Sequence, residues 1–179
     1  MQPIPIMLIL KLRSLRIALV AGLVVGCSTL ALAKEVAMGF NCPASASPEK
    51  IVKAFIQGAA VQTKAYDNTD AVQSFAAKAG FTAFSFPLVA VVAWEDNSQF
   101  FGRGPGTAPP VHFAMVVQGQ VWEVRNAVRK AGIKLLGRTN ADSYPQVQVS
   151  AFNSDSQDPL PATVNPSLAL TRIACHPRL

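Results

Sequence analysis

The chain has 179 residues, of which 16 are basic and 10 acidic, and its formal net charge is +6. The first 33 residues hold three of the basic side chains and no acidic one, so residues 34–179 have a net charge of only +3. This small, scattered excess argues against nucleic-acid binding. The length of residues 34–179 is that of one domain of ordinary size.

The N-terminus has the pattern of a secretory signal peptide. Lys11, Arg13 and Arg16 precede an apolar run that ends at Ala31-Leu32-Ala33, the small-x-small pattern that signal peptidase requires. A retained membrane-spanning helix is the alternative, but the run is short for a span of about 20 residues. We therefore predict a cleaved signal peptide at residues 1–33 and a single exported domain at 34–179, located in the periplasm or secreted.

The sequence also contains an alternative site of signal-peptide cleavage. Val24-Val25-Gly26-Cys27 resembles the lipobox of bacterial lipoproteins, which implies a lipid on Cys27 and a location at the outer membrane. The apolar run continues from Cys27 to Ala33, which favours the cut after Ala33. Contact with the membrane is expected only through the signal segment or through a lipid anchor at Cys27.

Two helices are predicted early in the domain. Ser47-Pro48-Glu49 supplies an N-cap, a proline at the first helical position and an acid in the first turn, and apolar residues at helical spacing follow as far as Ala60. Asn68-Thr69-Asp70 predicts a second cap. The apolar residues from Val72 to Ala79 then form a helical stripe that ends at Gly80.

Strands dominate the rest of the sequence. The continuous apolar run Leu88–Trp94 predicts a buried strand, and a loop rich in glycine and proline covers residues 102–110. The remaining predicted elements are a hairpin of Val111–Val117 and Gln120–Arg125, a short helix at Asn126–Ala131, and strands at Gln146–Phe152 and Leu168–Cys175. The predicted fold class is α+β, with two N-terminal helices packed on an antiparallel sheet built largely of hairpins.

The predicted hairpin supplies candidate binding residues. A two-residue turn at Gln118-Gly119 would pair Met115 with Trp122 on one apolar face, and would place His112, Glu123 and Arg125 together on the other face. A histidine beside a carboxylate suits general acid–base chemistry, whereas ordinary cross-strand charge pairs are the simpler interpretation. Arg103, in the glycine-rich loop, is a further candidate contact. The basic cluster from Arg125 to Arg138 is interpreted as a solvated face.

The cysteines have two interpretations. Cys42 and Cys175 lie near the two ends of the domain, and in an oxidising compartment they are expected to form one disulfide, which completes the predicted fold. Alternatively, the order of Cys42 and His112 resembles that of papain-like thiol hydrolases and related cell-wall peptidases. The resemblance implies a Cys42 nucleophile and a His112 base. Glu123, which the hairpin register places beside His112, is the third candidate catalytic residue. Against it, Pro43 follows Cys42, so that Cys42 does not open a helix.

Few other chemical groups are present. The chain has two histidines, His112 and His176, and no Gly-x-Ser-x-Gly motif, so neither a metal nor a cofactor is predicted. We expect a binding module that contacts another envelope or secreted protein and has no chemistry of its own. The thiol hydrolase and the lipoprotein anchored through Cys27 are the alternatives.

Overall fold

The structure is a computed structural model that describes residues 34–35, 47–69, 72–95, 98–101, 112–135, 146–152 and 159–176. The chain divides into two compact units, residues 1–31 and 32–179, and every described element belongs to the second. In chain order the elements are β1 (Lys34–Glu35), α1 (Pro48–Gln57), β2 (Asp67–Thr69), β3 (Val72–Ala76), β4 (Phe81–Ala83), β5 (Phe86–Trp94), β6 (His112–Gln118), α2 (Val121–Lys130), β7 (Gln146–Ala151) and β8 (Leu170–His176).

The described strands form one sheet in the order β1-β4-β5-β6-β8-β7, with β2 and β3 beside this path. All pairings are antiparallel except that of β1 with β4. One edge of β5 pairs first with β4 and then, over Ala90–Ala93, with β3. The other edge of β5 pairs with β6, which makes β5 and β6 the centre of the sheet.

The first helix begins where the sequence predicts. Ser47 is the N-cap, and its hydroxyl accepts from the Lys50 N–H at 3.4 Å. Pro48 occupies the first turn, where a missing N–H costs nothing. Val52 is fully buried and belongs to the same apolar cluster as core residues of β5.

The second predicted helix is wrong, because Val72–Ala76 forms strand β3. Its apolar residues fit a helix or a strand, since so short a run has no decisive period. The tertiary structure decides the outcome: β3 pairs with Ala90–Ala93 along one edge of β5, a buried strand whose backbone groups need partners. Both Ser74 and Phe75, on opposite faces of β3, are 1 % exposed.

The predicted hairpin is also wrong: its first strand is β6, but Gln120–Arg125 does not form the second. Strand β6 pairs with β5 on one edge and with β8 on the other, so no edge is left for Gln120–Arg125. Met115 lies opposite Val91 and Ile173 instead of Trp122. The segment forms α2, which takes in most of the predicted second strand and of the predicted short helix.

The predicted fold class needs correction in its helices and in its disulfide. The structure is mostly antiparallel sheet with two described helices, one before β2 and the other between β6 and β7. The predicted bond between Cys42 and Cys175 is not found among the described residues, since Cys42 lies outside them. Cys175 is buried in β8. The strands predicted at Leu88–Trp94, Gln146–Phe152 and Leu168–Cys175 are confirmed as β5, β7 and β8.

The two faces of the sheet differ in the size of their side chains. The main core contains Val52 of α1, and Val124 and Val128 of α2, with Phe113 and Met115 of β6. The opposite face has smaller residues at its centre. They are Ala90, Val92, Ala114, Val116 and Ala174, each no more than 1 % exposed.

A tight turn joins β4 to β5 in a left-handed conformation. Phe84 and Ser85 have φ angles of 53° and 69°, which is unusual for residues other than glycine. The Glu35 carboxylate accepts from both of their N–H groups at 2.8 Å. It thereby ties β1 to the turn and satisfies donors that the turn leaves without a strand partner.

The end of α1 generates a stability prediction. Ala59 follows the helix with φ 57° and is exposed, so its Cβ is strained in a position that favours glycine. We expect Ala59→Gly to raise the free energy of unfolding by about 0.5–1 kcal/mol, measured by denaturant titration. The matched control is Ala54→Gly, an exposed position within α1, which should lower it by about 1 kcal/mol. Equal losses in both variants would contradict the prediction.

Candidate functional site

The candidate site is the outer surface of α2, and the helix forms because its apolar residues recur at helical spacing. Val121, Val124 and Val128 lie three and four residues apart, and the last two are fully buried. Glu123 lies in the first turn, and Arg129 and Lys130 lie in the last, which matches the helix dipole at both ends.

Gly119 sets the approach of α2 to the sheet. A Cβ at this position would lie 2.5 Å from the Phe86 ring and 3.2 Å from Val124. The Gly119 N–H donates to the Ala169 carbonyl at 2.8 Å, and the Gly119 carbonyl accepts from the Thr171 hydroxyl at 2.7 Å. The start of α2 is therefore fixed from β5 on one side and from β8 and its preceding turn on the other.

Four residues form the α2 outer face, namely Trp122, Arg125, Asn126 and Arg129, which follow one another at positions i, i+3, i+4 and i+7. All four are exposed, and the Trp122 side chain is 64 % exposed. Trp122 and Leu168 are the exposed large apolar residues of the described chain. Trp122 follows Gly119 by three residues, and Leu168 directly precedes Ala169. Gly119 and Ala169 are themselves joined by a hydrogen bond.

Arg125 connects this face to the sheet. Its guanidinium donates to the Val149 carbonyl of β7 at 2.9 Å, which holds the long side chain in one direction. Arg129, Lys130 and Lys134 are exposed close by in sequence, whereas Glu123 is the acidic residue of α2. The α2 outer face therefore combines one exposed aromatic ring with an excess of positive charge.

Of the sequence-predicted catalytic and binding residues, the structure describes three, and it does not place all three on one element. Glu123 and Arg125 lie on α2, whereas His112 lies at the start of β6, at the other end of that strand from the junction with α2. Arg103, Cys42 and the lipidation candidate Cys27 lie outside the described residues, so the pairing of Cys42 with His112 stays a prediction. Arg125 remains a candidate contact residue, but it lies on helix α2 and not on a hairpin strand.

The sequence prediction misses Trp122 as a candidate contact residue, because the predicted register assigns it to a buried face. The signal that could have found it is the spacing of Val121, Val124 and Val128, which favours a helix over Val121–Lys130. On that helix Trp122 falls outside the apolar stripe. Its exposure follows once Val121–Lys130 is known to be helical.

A second polar cluster lies where α1 meets the end of β5. The Glu95 carboxylate accepts from the Ser47 hydroxyl at 2.5 Å and from the Glu49 N–H at 3.0 Å, and thus caps α1 from another element. The Glu49 carboxylate accepts from Lys53 and, at 2.6 Å, from the Ser98 hydroxyl. These bonds, above all the one from Lys53, lower the pKa of Glu49. The cluster satisfies its own groups, which indicates a structural role.

Comparison with known proteins gives no relative: no protein-family model matches the chain, and no curated protein or solved structure does. Within the described part of the chain, no helix combines the length and the apolar character needed to cross a membrane. Among the described side chains, no group of three or more His, Cys, Asp or Glu could hold a metal ion.

The contact at Gly119 generates a second prediction. We expect Gly119→Ala to lower the free energy of unfolding by about 1–3 kcal/mol, because the new methyl group overlaps the Phe86 ring. The φ of Gly119 lies outside the left-handed region, so the loss comes from the contact and not from the backbone. The same substitution in a Phe86→Leu background should cost clearly less. An equal cost in both backgrounds would contradict this explanation.

The Glu49 cluster generates a third prediction. We expect Lys53→Met to raise the pKa of Glu49 towards its ordinary value, as followed by carboxyl NMR titration. Lys50→Met is the control and should raise it less, because Lys50 acts on Glu49 only through its charge. Since the folded-state pKa is lowered, the contribution of Glu49 to stability is present above its unfolded pKa and is lost as the pH falls through the folded one. A larger rise in Lys50→Met would refute the assignment.

Proposed function

We propose that the protein is exported and that its domain binds another envelope or secreted protein through the α2 outer face. The N-terminal segment supports export, since a basic region, an apolar run and Ala31-Leu32-Ala33 follow one another in the first 33 residues. The function we favour is that of an interaction module in the bacterial envelope.

The observation that carries the proposal is the exposure of Trp122, at 64 %. Leaving a large apolar ring in water forgoes the free energy that its burial would give. In protein interfaces, tryptophan and arginine are among the residue types that most often dominate the binding energy. The α2 outer face places a tryptophan beside two arginines on one helix surface.

The α2 outer face is also held in place before a partner arrives. Val124 and Val128 anchor the opposite side of α2 in the main core. The hydrogen bond from Arg125 to Val149 and the two backbone bonds of Gly119 fix the helix against the sheet. A preorganised surface binds without the entropic cost of ordering its own backbone.

The charge around the α2 outer face indicates the kind of partner. Arg125 and Arg129 lie on it, and Lys130 and Lys134 follow closely in sequence. Complementary charges accelerate association and select the orientation of the partner. We therefore expect the partner's contact surface to be acidic, with an apolar pocket or groove that receives Trp122.

The test is site-specific crosslinking in the cell that produces the protein. A photo-crosslinking amino acid at position 122 should give one dominant adduct with an envelope or secreted protein, identified by mass spectrometry. The adduct should weaken when Arg129→Glu is added, because reversal of one charge on the surface opposes an acidic partner.

The matched control places the same crosslinker at position 57, an exposed residue at the end of the other helix. It should give no such adduct. An equal pattern of adducts from positions 57 and 122 would overturn the assignment of the surface. A dominant adduct with a cytoplasmic protein would overturn the proposed location.

A further inference from the structure

Strand β7 is the last strand of the sheet path, and one of its edges faces away from β8. Along an antiparallel strand, successive residues direct their N–H and C=O groups to alternate edges. The Phe152 N–H donates to the Leu170 carbonyl of β8 at 2.9 Å. The even-numbered residues of β7 therefore bond to β8, and the odd-numbered Val147, Val149 and Ala151 direct their backbone groups to the outer edge.

Two contacts of the outer edge agree with this assignment. Leu135 forms a parallel bridge with Val147, and the Arg125 guanidinium donates to the Val149 carbonyl at 2.9 Å. Among the described residues, none bonds to the Val149 N–H or to either backbone group of Ala151. Ala151 is exposed, so a short stretch of this edge is open to a second chain.

The open stretch lies beside the α2 outer face. Arg125 belongs to that face and also contacts the edge. Thr171 of β8 lies opposite both Ala151 of β7 and Val117 of β6, the strand that leads into α2. Neighbouring strands are about 4.8 Å apart, so Ala151 lies roughly 10 Å from the end of β6. One partner can therefore contact Trp122 and the open edge at the same time.

We propose that the partner adds an extended segment to β7 as a further strand, along the outer edge at Val149 and Ala151, and that an acidic side chain of this segment pairs with Arg125. The inference rests on the proposed function and specifies how the partner of the α2 outer face is bound. Backbone groups at an open sheet edge pair readily with an extended peptide. A guanidinium has five N–H donors, so the bond to Val149 leaves others for a carboxylate.

The charge of the α2 outer face argues against a second copy of this chain as the added strand. Pairing of β7 with the β7 of another copy would bring Arg125 and Arg129 of one copy towards the same residues of the other. Like charges set against each other disfavour an interface. An acidic segment meets complementary charge instead, which also selects its orientation.

Proline at position 151 tests the added strand without breaking the sheet. Proline lacks the N–H, and an edge strand tolerates it where that N–H would face solvent. In the full chain with the photo-crosslinker at position 122, Ala151→Pro should reduce the adduct by about tenfold or more, because the added segment loses a hydrogen bond and meets the proline ring. The midpoint of denaturant unfolding should stay unchanged, since no bond to β8 is removed.

Two variants serve as matched controls. Ala151→Val keeps the N–H and should keep the adduct. Ser150→Pro removes an N–H that faces β8 and should lower the denaturant midpoint. An adduct that survives Ala151→Pro would overturn the added strand and leave the proposed function in place, whereas the absence of any adduct from position 122 would overturn both. A dominant adduct between two copies of this chain would overturn the acidic partner.

The pairing with Arg125 is tested by Arg125→Lys in the same background. Lysine keeps the charge but cannot donate two parallel bonds to a carboxylate, so the adduct should weaken. Lys130→Arg is the control, because it keeps the charge at an exposed position outside the α2 outer face, and it should give the parent's adduct. Equal adducts from Arg125→Lys and the parent would refute the acidic contact.

Amide hydrogen exchange of the unsubstituted protein does not depend on the folding of any variant. In the free protein, the Ala151 N–H should exchange faster than the Ser150 N–H, because only the latter is bonded to β8. Saturation with the partner identified from the position 122 adduct should slow exchange at Val149 and Ala151. Unchanged exchange at Ala151 in the saturated complex would refute the added strand, even where Trp122 still contacts the partner.

Discussion

The structure depends on the pairing of β6 with two neighbours at once. Strand β5 occupies one edge of β6 and β8 the other, and together these pairings satisfy the backbone of a strand that is buried from Phe113 to Val117. Because both edges are taken, the chain that leaves β6 cannot return as a third neighbour. It turns at Gly119 and forms α2 over the same face of the sheet as α1.

The position of α2 has consequences for the surface of the protein. The stripe of Val121, Val124 and Val128 faces the core, so Trp122 and two arginines lie on the outside. The bond from Arg125 to Val149 then orients one arginine relative to β7. The same residues on a hairpin would have buried the tryptophan and grouped the arginine with a histidine, which is a different site with different chemistry.

Some local features could be predicted because they depend on neighbours in sequence. Ser47-Pro48-Glu49 starts α1, since capping needs only residues within one turn, and the uninterrupted apolar run of Leu88–Trp94 has the length of a buried strand. The segment Val72–Ala76 is a strand against the sequence prediction, because its conformation depends on the edge of β5 with which it pairs. The α2 outer face is not predicted either, although the valine spacing is present. The conformation of Val121–Lys130 depends on β5 and β8 having taken both edges of β6.

By itself, the sequence determined the order of charge and apolar character in the first 33 residues, the start of α1 and the positions of three strands, because each is a property of adjacent residues. The tertiary structure alone decided that β6 is central and that Val121–Lys130 is helical. Strand pairing joins residues that are far apart in the chain, and no local pattern encodes which strands become neighbours. The sites that we propose follow from that pairing.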